Sequence, residues 1–309
     1  MKIYVTDGLP AIQALADEGI SLSPVQAEMD APGDVARVAF INLMPEKIPA
    51  ERDVLRLLWA GGVEVDGLTA LAVSLFRPAA HECRHTDAAH LARFYSCLHP
   101  SDVSSFAAVV INGAPLERVA YRDVDYSDEL AAVCDAAAQA DIPVLYLCWG
   151  AFFGLYRQCG VDKTLLASKL SGVYPHRVVS EHPVTRGLPS TVYLPHSRHC
   201  VLDGDIATMS DRVKVLVSSD CGPGNVVSVA CDKPEMYITA HPEYDTSTLA
   251  AEYSRDCARG LNPHIPENYF PDDDPSLEPR NLWAAPAARL MANWFGCYVA
   301  PRFRDRIKI

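Results

Sequence analysis

From Ala36 onward the chain alternates short apolar, β-branched runs with stretches that repeat at helical spacing, and this alternation limits the fold more than any other feature. Residues 37–43 read as a buried strand, and within 49–59 the side chains of Val54, Leu55, Leu58 and Trp59 fall on one helical face. A strand is expected over 63–73, a helix over 87–98, and a strand over 107–111 that stops at Asn112-Gly113-Ala114-Pro115. Ser127 suits the N-cap of a helix over 127–140, and 142–147 is an apolar strand running straight into Cys148. Strands joined through helices run parallel, and parallel strands are covered on both faces. The expected class is α/β, a doubly wound, mostly parallel sheet flanked by helices.

Beyond residue 170 the pattern turns β-rich, with strands expected near 172–179, 191–194, 213–217, 226–230 and 236–240, read as insertions into the same domain. Helices return at 247–259 and 284–295, with a Pro- and Asp-rich loop over 263–280 between them. Residues 1–34, broken by Pro10, Pro24, Pro32 and Gly33, read as an N-terminal arm with a short helix near 11–16. That arm packs on the domain or meets a second subunit, which would make a homodimer. Residues 35–300 form one α/β domain in this reading, and 301–309 a C-terminal tail.

The 27 Lys and Arg against 39 Asp and Glu leave a net charge of −12. Polyanion binding needs clustered cations, so nucleic acid and anionic membrane surfaces are poor partners and small molecules better ones. With 49% hydrophobic residues, a chain this long buries about three quarters of its unfolded surface. The first residues lack the apolar core of an export signal, and no 18-residue stretch is free of charges or breakers, so a cytoplasmic protein is expected. Ten scattered cysteines in such a chain should be reduced. Their spacings match no zinc site; His81, Cys83 and His85 come nearest, and no metal is expected.

Cys148 ends the most apolar strand and precedes Trp149-Gly150-Ala151, small residues that open a helix-compatible run. A strand-to-helix elbow sets the thiol over the helix N-terminus, where free N–H groups and the dipole favour thiolate. The N–H of Trp149, with a second from the Asn112-Gly113-Ala114 turn, would form an oxyanion hole. By itself this pattern also fits an inert buried cysteine at a strand end. His241-Pro242-Glu243 ends a later strand, and side-chain alternation puts His241 and Glu243 on one side. A carboxylate beside an imidazole fixes its tautomer, as a Cys-His pair requires, although His-Pro-Glu alone could be a surface turn. Together the three residues read as a Cys148–His241–Glu243 triad at the carboxyl rim of a parallel sheet.

Several ordered stretches then carry a resemblance: 41–47 (Ile-Asn-Leu-Met-Pro-Glu-Lys), Gly113-Ala114-Pro115-Leu116, Cys148-Trp149, 169–174 (Lys-Leu-Ser-Gly-Val-Tyr), Pro195-His196-Ser197-Arg198, 241–245 (His-Pro-Glu-Tyr-Asp) and Asn268-Tyr269-Phe270-Pro271. From about residue 36 to 300 the chain resembles the MetA-type homoserine O-acyltransferases, which have the class I glutamine-amidotransferase-like fold. The resemblance implies acyl transfer from acyl-CoA to Cys148 and then to the side-chain hydroxyl of an amino acid, with His241 as general base and acid and Glu243 orienting it. It implies Lys169, Ser197 and Arg255 for the amino acid, the guanidinium suiting an α-carboxylate. Lys47 and Lys169 would supply positive charge for CoA phosphates or the oxyanion. No cofactor is implied beyond acetyl-CoA as co-substrate. In the family a Glu at the position of Glu117 goes with acetyl-CoA and a Gly with succinyl-CoA. The physics agrees, since two carboxylates about 4 Å apart repel by on the order of 4 kcal/mol at an effective dielectric of about 20.

Two stretches depart from that pattern. Gly150-Ala151-Phe152-Phe153 puts aromatics where the family has a polar side chain, and 74–86 is rewritten; both are expected to remodel the acceptor pocket. Homoserine and serine differ by one methylene, worth about 1–3 kcal/mol in a pocket, so serine is the near rival as acceptor. A Cys-His-Glu glutaminase on the same fold and a non-catalytic binding protein are the more distant readings.

Overall fold

The computed structural model describes residues 1–26, 31–32, 35–220 and 222–307, the last four as backbone alone. Twelve strands among them form one sheet. They are β1 (Lys2–Thr6), β2 (Ser23–Val25), β3 (Ala36–Ile41), β4 (Ala70–Phe76), β5 (Tyr95–Ser96), β6 (Ala108–Ile111), β7 (Val144–Leu147), β8 (Lys163–Val178), β9 (Thr191–Leu202), β10 (Val213–Ser218), β11 (Asn225–Ala230) and β12 (Glu235–Ile238). The helices are α1 (Ala11–Asp17), α2 (Lys47–Gly62), α3 (Ala88–Phe94), α4 (Ser127–Gln139), α5 (Trp149–Cys159), α6 (Ile206–Met209), α7 (Thr248–Ala258), α8 (Ala284–Trp294) and α9 (Ala300–Ile307).

The strand order is β2-β1-β4-β3-β6-β7-β12-β11-β10-β8-β9, with β5 beside β4. Pairing is parallel from β2 to β12 and antiparallel from β12 to β9. The central strands are apolar along their whole length because both faces are covered. Val38, Phe40, Val110 and Leu145 point into one core with Val54, Leu58 and Leu290 of α2 and α8. Their neighbours Ala39, Ile41, Val109 and Val144 point into a second core with Leu130 and Val133 of α4 and Phe152 of α5. The expected doubly wound sheet is thus present, with β8 and β9 as its long second-half extension.

Register explains where a site forms. Ile41 lies opposite Ile111, Ile111 opposite Tyr146, and Leu147 opposite Ile238. The carboxyl ends of β3, β6, β7 and β12 therefore share one rim, from which Asn42, Gly113, Cys148 and His241 emerge.

Several expectations need correction. Of residues 1–34, read as an arm, 2–6 and 23–25 are instead part of the sheet, because Lys2–Thr6 and Ser23–Val25 pair in parallel and β1 also pairs with β4; residues 27–30 and 33–34 lie outside the described residues. Ile3 and Val5 are buried, and Pro24 sits in an edge strand, where a missing N–H is tolerated. The 301–309 tail is helical to residue 307. The strand expected over 63–73 is Ala70–Phe76, because α2 runs on to Gly62. The helix expected to reach 98 ends at Phe94 and yields to β5. Among the described residues no helix is long and apolar enough to cross a membrane. The nine cysteines described are free thiols; Cys221 lies outside the described residues.

Candidate active site

Cys148 joins β7 to α5 with φ 47° and ψ −120°. A positive φ in a residue other than glycine costs about 1–3 kcal/mol and persists only where the surroundings impose it. Here its N–H donates to the Ile238 carbonyl at 2.8 Å, and its own carbonyl accepts from Ala151 at 2.9 Å and Phe152 at 3.1 Å. Two glycines make room. A Cβ on Gly150 would lie 2.8 Å from the carbonyl oxygens of both Ile111 and Asn112, and one on Gly113 would lie 3.0 Å from Cβ of Cys148 and 3.4 Å from its sulfur. Trp149 is the first residue of α5, so its N–H has no acceptor within the helix, and the same Gly113 position is 3.6 Å from that nitrogen. The pair anticipated for an oxyanion hole thus adjoins the thiol. The indole of Trp149 turns into the core and stacks on Phe153.

His241 and Glu243 lie in the loop after β12 rather than on the strand, yet they meet: Nδ1 of His241 is 2.8 Å from Oε1 of Glu243. The His241 N–H donates to the Pro195 carbonyl at 2.9 Å, which ties the loop to β9. Nε2 makes no hydrogen bond among the described residues, although the Cys148 sulfur is near enough to act on the ring's charge. Burial alone would lower the His241 pKa, but Cys148 and Glu243 outweigh it and hold the ring well above the ordinary histidine value. The ring also stacks on Tyr244, with centroids 4.0 Å apart.

Beside these groups stands a polar cluster shared by β8, β9 and α7. Ser197 lies opposite Ser171, and Lys169 falls in the irregular stretch between the paired Leu165 and Leu170. Lys169 Nζ donates to Glu252 at 3.0 Å and to Asp256 at 3.3 Å, and the Ser197 hydroxyl donates to Glu252. Arg255 donates from Nε and Nη2 to Asp256, each at 3.0 Å, with its side chain 43% exposed. Burial would raise the Glu252 carboxyl, but Lys169 and Ser197 hold it below the usual carboxylate range. Tyr269 fixes the start of α7 by accepting from the Ala250 N–H at 3.1 Å and donating to the Thr246 carbonyl.

A cavity of about 410 Å³ opens over these residues; Cys148, His241, Gly113, Glu117, Lys169, Ser197 and Arg255 all line it. Of the residues singled out from sequence, Glu243 stands behind His241 and Trp149 offers only its backbone. Lys47 requires correction. Its side chain is buried away from the cavity, its ammonium donates to the carbonyls of Asn42 at 2.6 Å and Met44 at 2.9 Å, and burial lowers its pKa to about 8. It braces the loop after β3 and is not among the residues that line the cavity. That loop is joined to the next by Asn112, which donates to Asn42 at 2.9 Å and accepts from the Leu43 N–H at 2.6 Å.

Glu252 and Tyr244 were not identified from sequence, although Glu252, Arg255 and Asp256 share the i, i+3, i+4 spacing of one helix face. Phe152 and Phe153 are also corrected: both are buried in the core under α5, and the Phe152 ring takes the Arg198 guanidinium at 5.2 Å. Within the rewritten 74–86 stretch, His85 does line the cavity. No cluster of three metal-binding side chains occurs among the described residues.

A profile of the homoserine O-succinyltransferase family matches residues 2–303. A homoserine O-succinyltransferase of Shewanella piezotolerans is 35% identical over 300 residues, 97% of this chain and 93% of that protein. A homoserine O-acetyltransferase of Geobacillus kaustophilus is 36% identical over 301 residues, 97% of each chain. Among solved structures, a glutamine amidotransferase from Thermotoga maritima superposes with a TM-score of 0.51 at 14% identity, covering 88% of this chain and 97% of that one. A second glutamine amidotransferase, from Methylobacillus flagellatus, gives a TM-score of 0.52 at 14% identity, covering 88% and 95%. These two likenesses are of fold alone.

Proposed function

The chain belongs to the homoserine O-succinyltransferase family, and from that premise we propose that it carries an acetyl group from acetyl-CoA to the side-chain hydroxyl of homoserine through a thioester on Cys148. Homoserine O-acyl transfer is the activity its relatives share; the covalent route, the residue roles and the choice of acetyl are our reading. The meeting of Cys148 and His241 at one cavity, with Glu243 behind them at Nδ1 of His241, supports the route most strongly.

In the first half-reaction the Cys148 thiolate attacks the thioester carbonyl. The oxyanion develops toward the Trp149 N–H and the Gly113 turn. The carbon–sulfur bond to CoA breaks, and the departing sulfur takes a proton from Nε2 of His241. In the second, the acceptor hydroxyl gives its proton to the same nitrogen and attacks the enzyme thioester, releasing Cys148. Glu243 holds the ring through Nδ1 during both steps, and two-step transfer through one site gives ping-pong kinetics. Arg255 and Lys169 face the acceptor carboxylate and Ser197 its polar groups. The chemistry draws on these side chains and the acyl-CoA itself.

Relatives named for succinyl and for acetyl transfer are 35% and 36% identical, so identity does not choose the donor. Glu117, half-buried on the cavity wall, supports acetyl, because its carboxylate would confront that of a succinyl group. Intact-protein mass after treatment with acetyl-CoA, without acceptor, tests the route. The wild type should gain one acetyl group and Cys148→Ala none; an unchanged wild-type mass refutes the acyl-enzyme.

A further inference from the structure

Tyr244 touches the base with its ring and the acceptor cluster with its hydroxyl, and the reaction just described uses neither contact. The ring lies on His241 with centroids 4.0 Å apart and planes inclined by 23°. The hydroxyl donates to Oε1 of Glu252 at 2.9 Å, while Oε2 of that carboxylate accepts from Lys169 at 3.0 Å and from Ser197. The Tyr244 backbone is anchored on both sides: its N–H donates to the His241 carbonyl at 3.3 Å, and its carbonyl accepts from the Trp283 indole at 2.8 Å. A continuous chain of contacts therefore runs from Lys169 and Ser197 through Glu252 and Tyr244 to the imidazole.

We propose that Tyr244 is a positioning residue whose hydrogen bond to Glu252 couples occupancy of the acceptor subsite to the orientation of His241. The inference rests on the acyl-enzyme reading above. Before acylation, the neighbouring Cys148 sulfur and Glu243 both act on the ring. Once Cys148 is a neutral thioester the sulfur no longer does, and Glu243 at Nδ1 and Tyr244 on the ring face remain. An incoming amino acid, with a positive and a negative end, must rearrange the contacts of Lys169, Ser197 and Glu252. The Tyr244 hydroxyl follows Glu252, and the ring under His241 follows the hydroxyl.

In the transfer step the acceptor proton moves to Nε2, the ester carbon–oxygen bond forms, the thioester carbon–sulfur bond breaks, and its electron pair returns to sulfur. Water could make the same exchange, but it brings nothing to the cluster. The coupling thus favours the acceptor over hydrolysis.

Tyr244→Phe keeps the ring and removes the hydroxyl. Acetylation by acetyl-CoA, and hydrolysis of the acetyl-enzyme without acceptor, should each stay within about twofold of wild type. Transfer at saturating homoserine should fall about tenfold, the scale of one hydrogen bond to a charged group. Equal slowing of all three rates, or unchanged transfer, overturns the proposal. Glu252→Gln supplies an independent check through a double-mutant cycle on the transfer rate. Non-additive losses support coupling through this bond, and additive losses overturn it. If the wild type takes up no acetyl group, the acyl-enzyme reading and the coupling fall together. If it is acetylated and the ratio of transfer to hydrolysis is unmoved in Tyr244→Phe, the coupling alone falls.

Discussion

Among single side chains, charge inside the cavity bears most directly on substrate choice. Glu117 is a half-buried carboxylate on a wall it shares with Cys148, so an acyl group ending in a second carboxylate meets like charge as it approaches the sulfur. Glu117→Gly should raise kcat/KM for succinyl-CoA relative to acetyl-CoA by about tenfold or more, since each 1.4 kcal/mol of relieved repulsion is a factor of ten. Competition between the two donors measures the ratio, and an unchanged preference removes Glu117 from donor choice. The meeting of Cys148, His241 and Glu243 was legible in sequence because all three follow closely on apolar strands that share one rim of the sheet. Glu252 and Tyr244 were not, because their importance arises only where α7 meets β8 and β9. The burial of Lys47 was not legible for a related reason: it is made by segments that follow in the chain and cannot be seen locally.

The elbow belongs to its elements more than to its cysteine. Helix α5 starts where it does because Gly150 lets its first turn rest on the end of β6, 2.8 Å from two carbonyl oxygens for any added Cβ. Backbone atoms on both sides leave no flexible group to yield. Gly150→Ala should therefore lift α5 from β6, displace the strained Cys148, cost about 1–3 kcal/mol of stability, and slow acetylation of the chain at least tenfold. Thermal melting and the acetylation rate together check this, and a fully active, equally stable variant would show that the contact is not needed. Strands β3, β6 and β7 could be read from sequence as unbroken apolar runs, the mark of burial on both faces. The first two strands could not, because Pro10 and Pro24 looked like interruptions, whereas Pro24 is tolerated at the sheet edge. The end of α2 was missed because Gly61 and Gly62 look like breakers. Their small size instead admits Met291 and Met1, whose side-chain atoms lie within 2.5 Å of where a Cβ would stand.

Across the whole molecule, the parallel half carries Cys148 and His241, while the antiparallel extension carries Lys169 and Ser197, so the proposed transfer needs the two held together. Buried polar residues supply much of that connection. Arg198 of β9 donates to the Thr239 carbonyl at 2.6 Å and the Pro223 carbonyl at 2.9 Å. Within the extension itself, between β8 and β9, Nε2 of His196 lies 3.1 Å from Nε2 of His176, whose Nδ1 is 3.0 Å from the Val192 carbonyl. Burial first, then the Arg198 charge, lowers both histidines, His176 to about 4. An unfolded chain binds a proton near pH 6.5 that folded His176 refuses until about pH 4, so its contribution to stability is intact above 6.5 and lost on acidification. By pH 4 the loss from His176 alone is about 3 kcal/mol. His176→Gln cannot titrate in this window. It should be less stable than wild type at pH 7.5, having lost the buried pair, but its urea midpoint should fall less steeply between pH 6.5 and 4. Parallel slopes for the two proteins would mean that the folded pair takes up protons as readily as the unfolded chain, and the β8–β9 pairing would then owe nothing to neutral histidines.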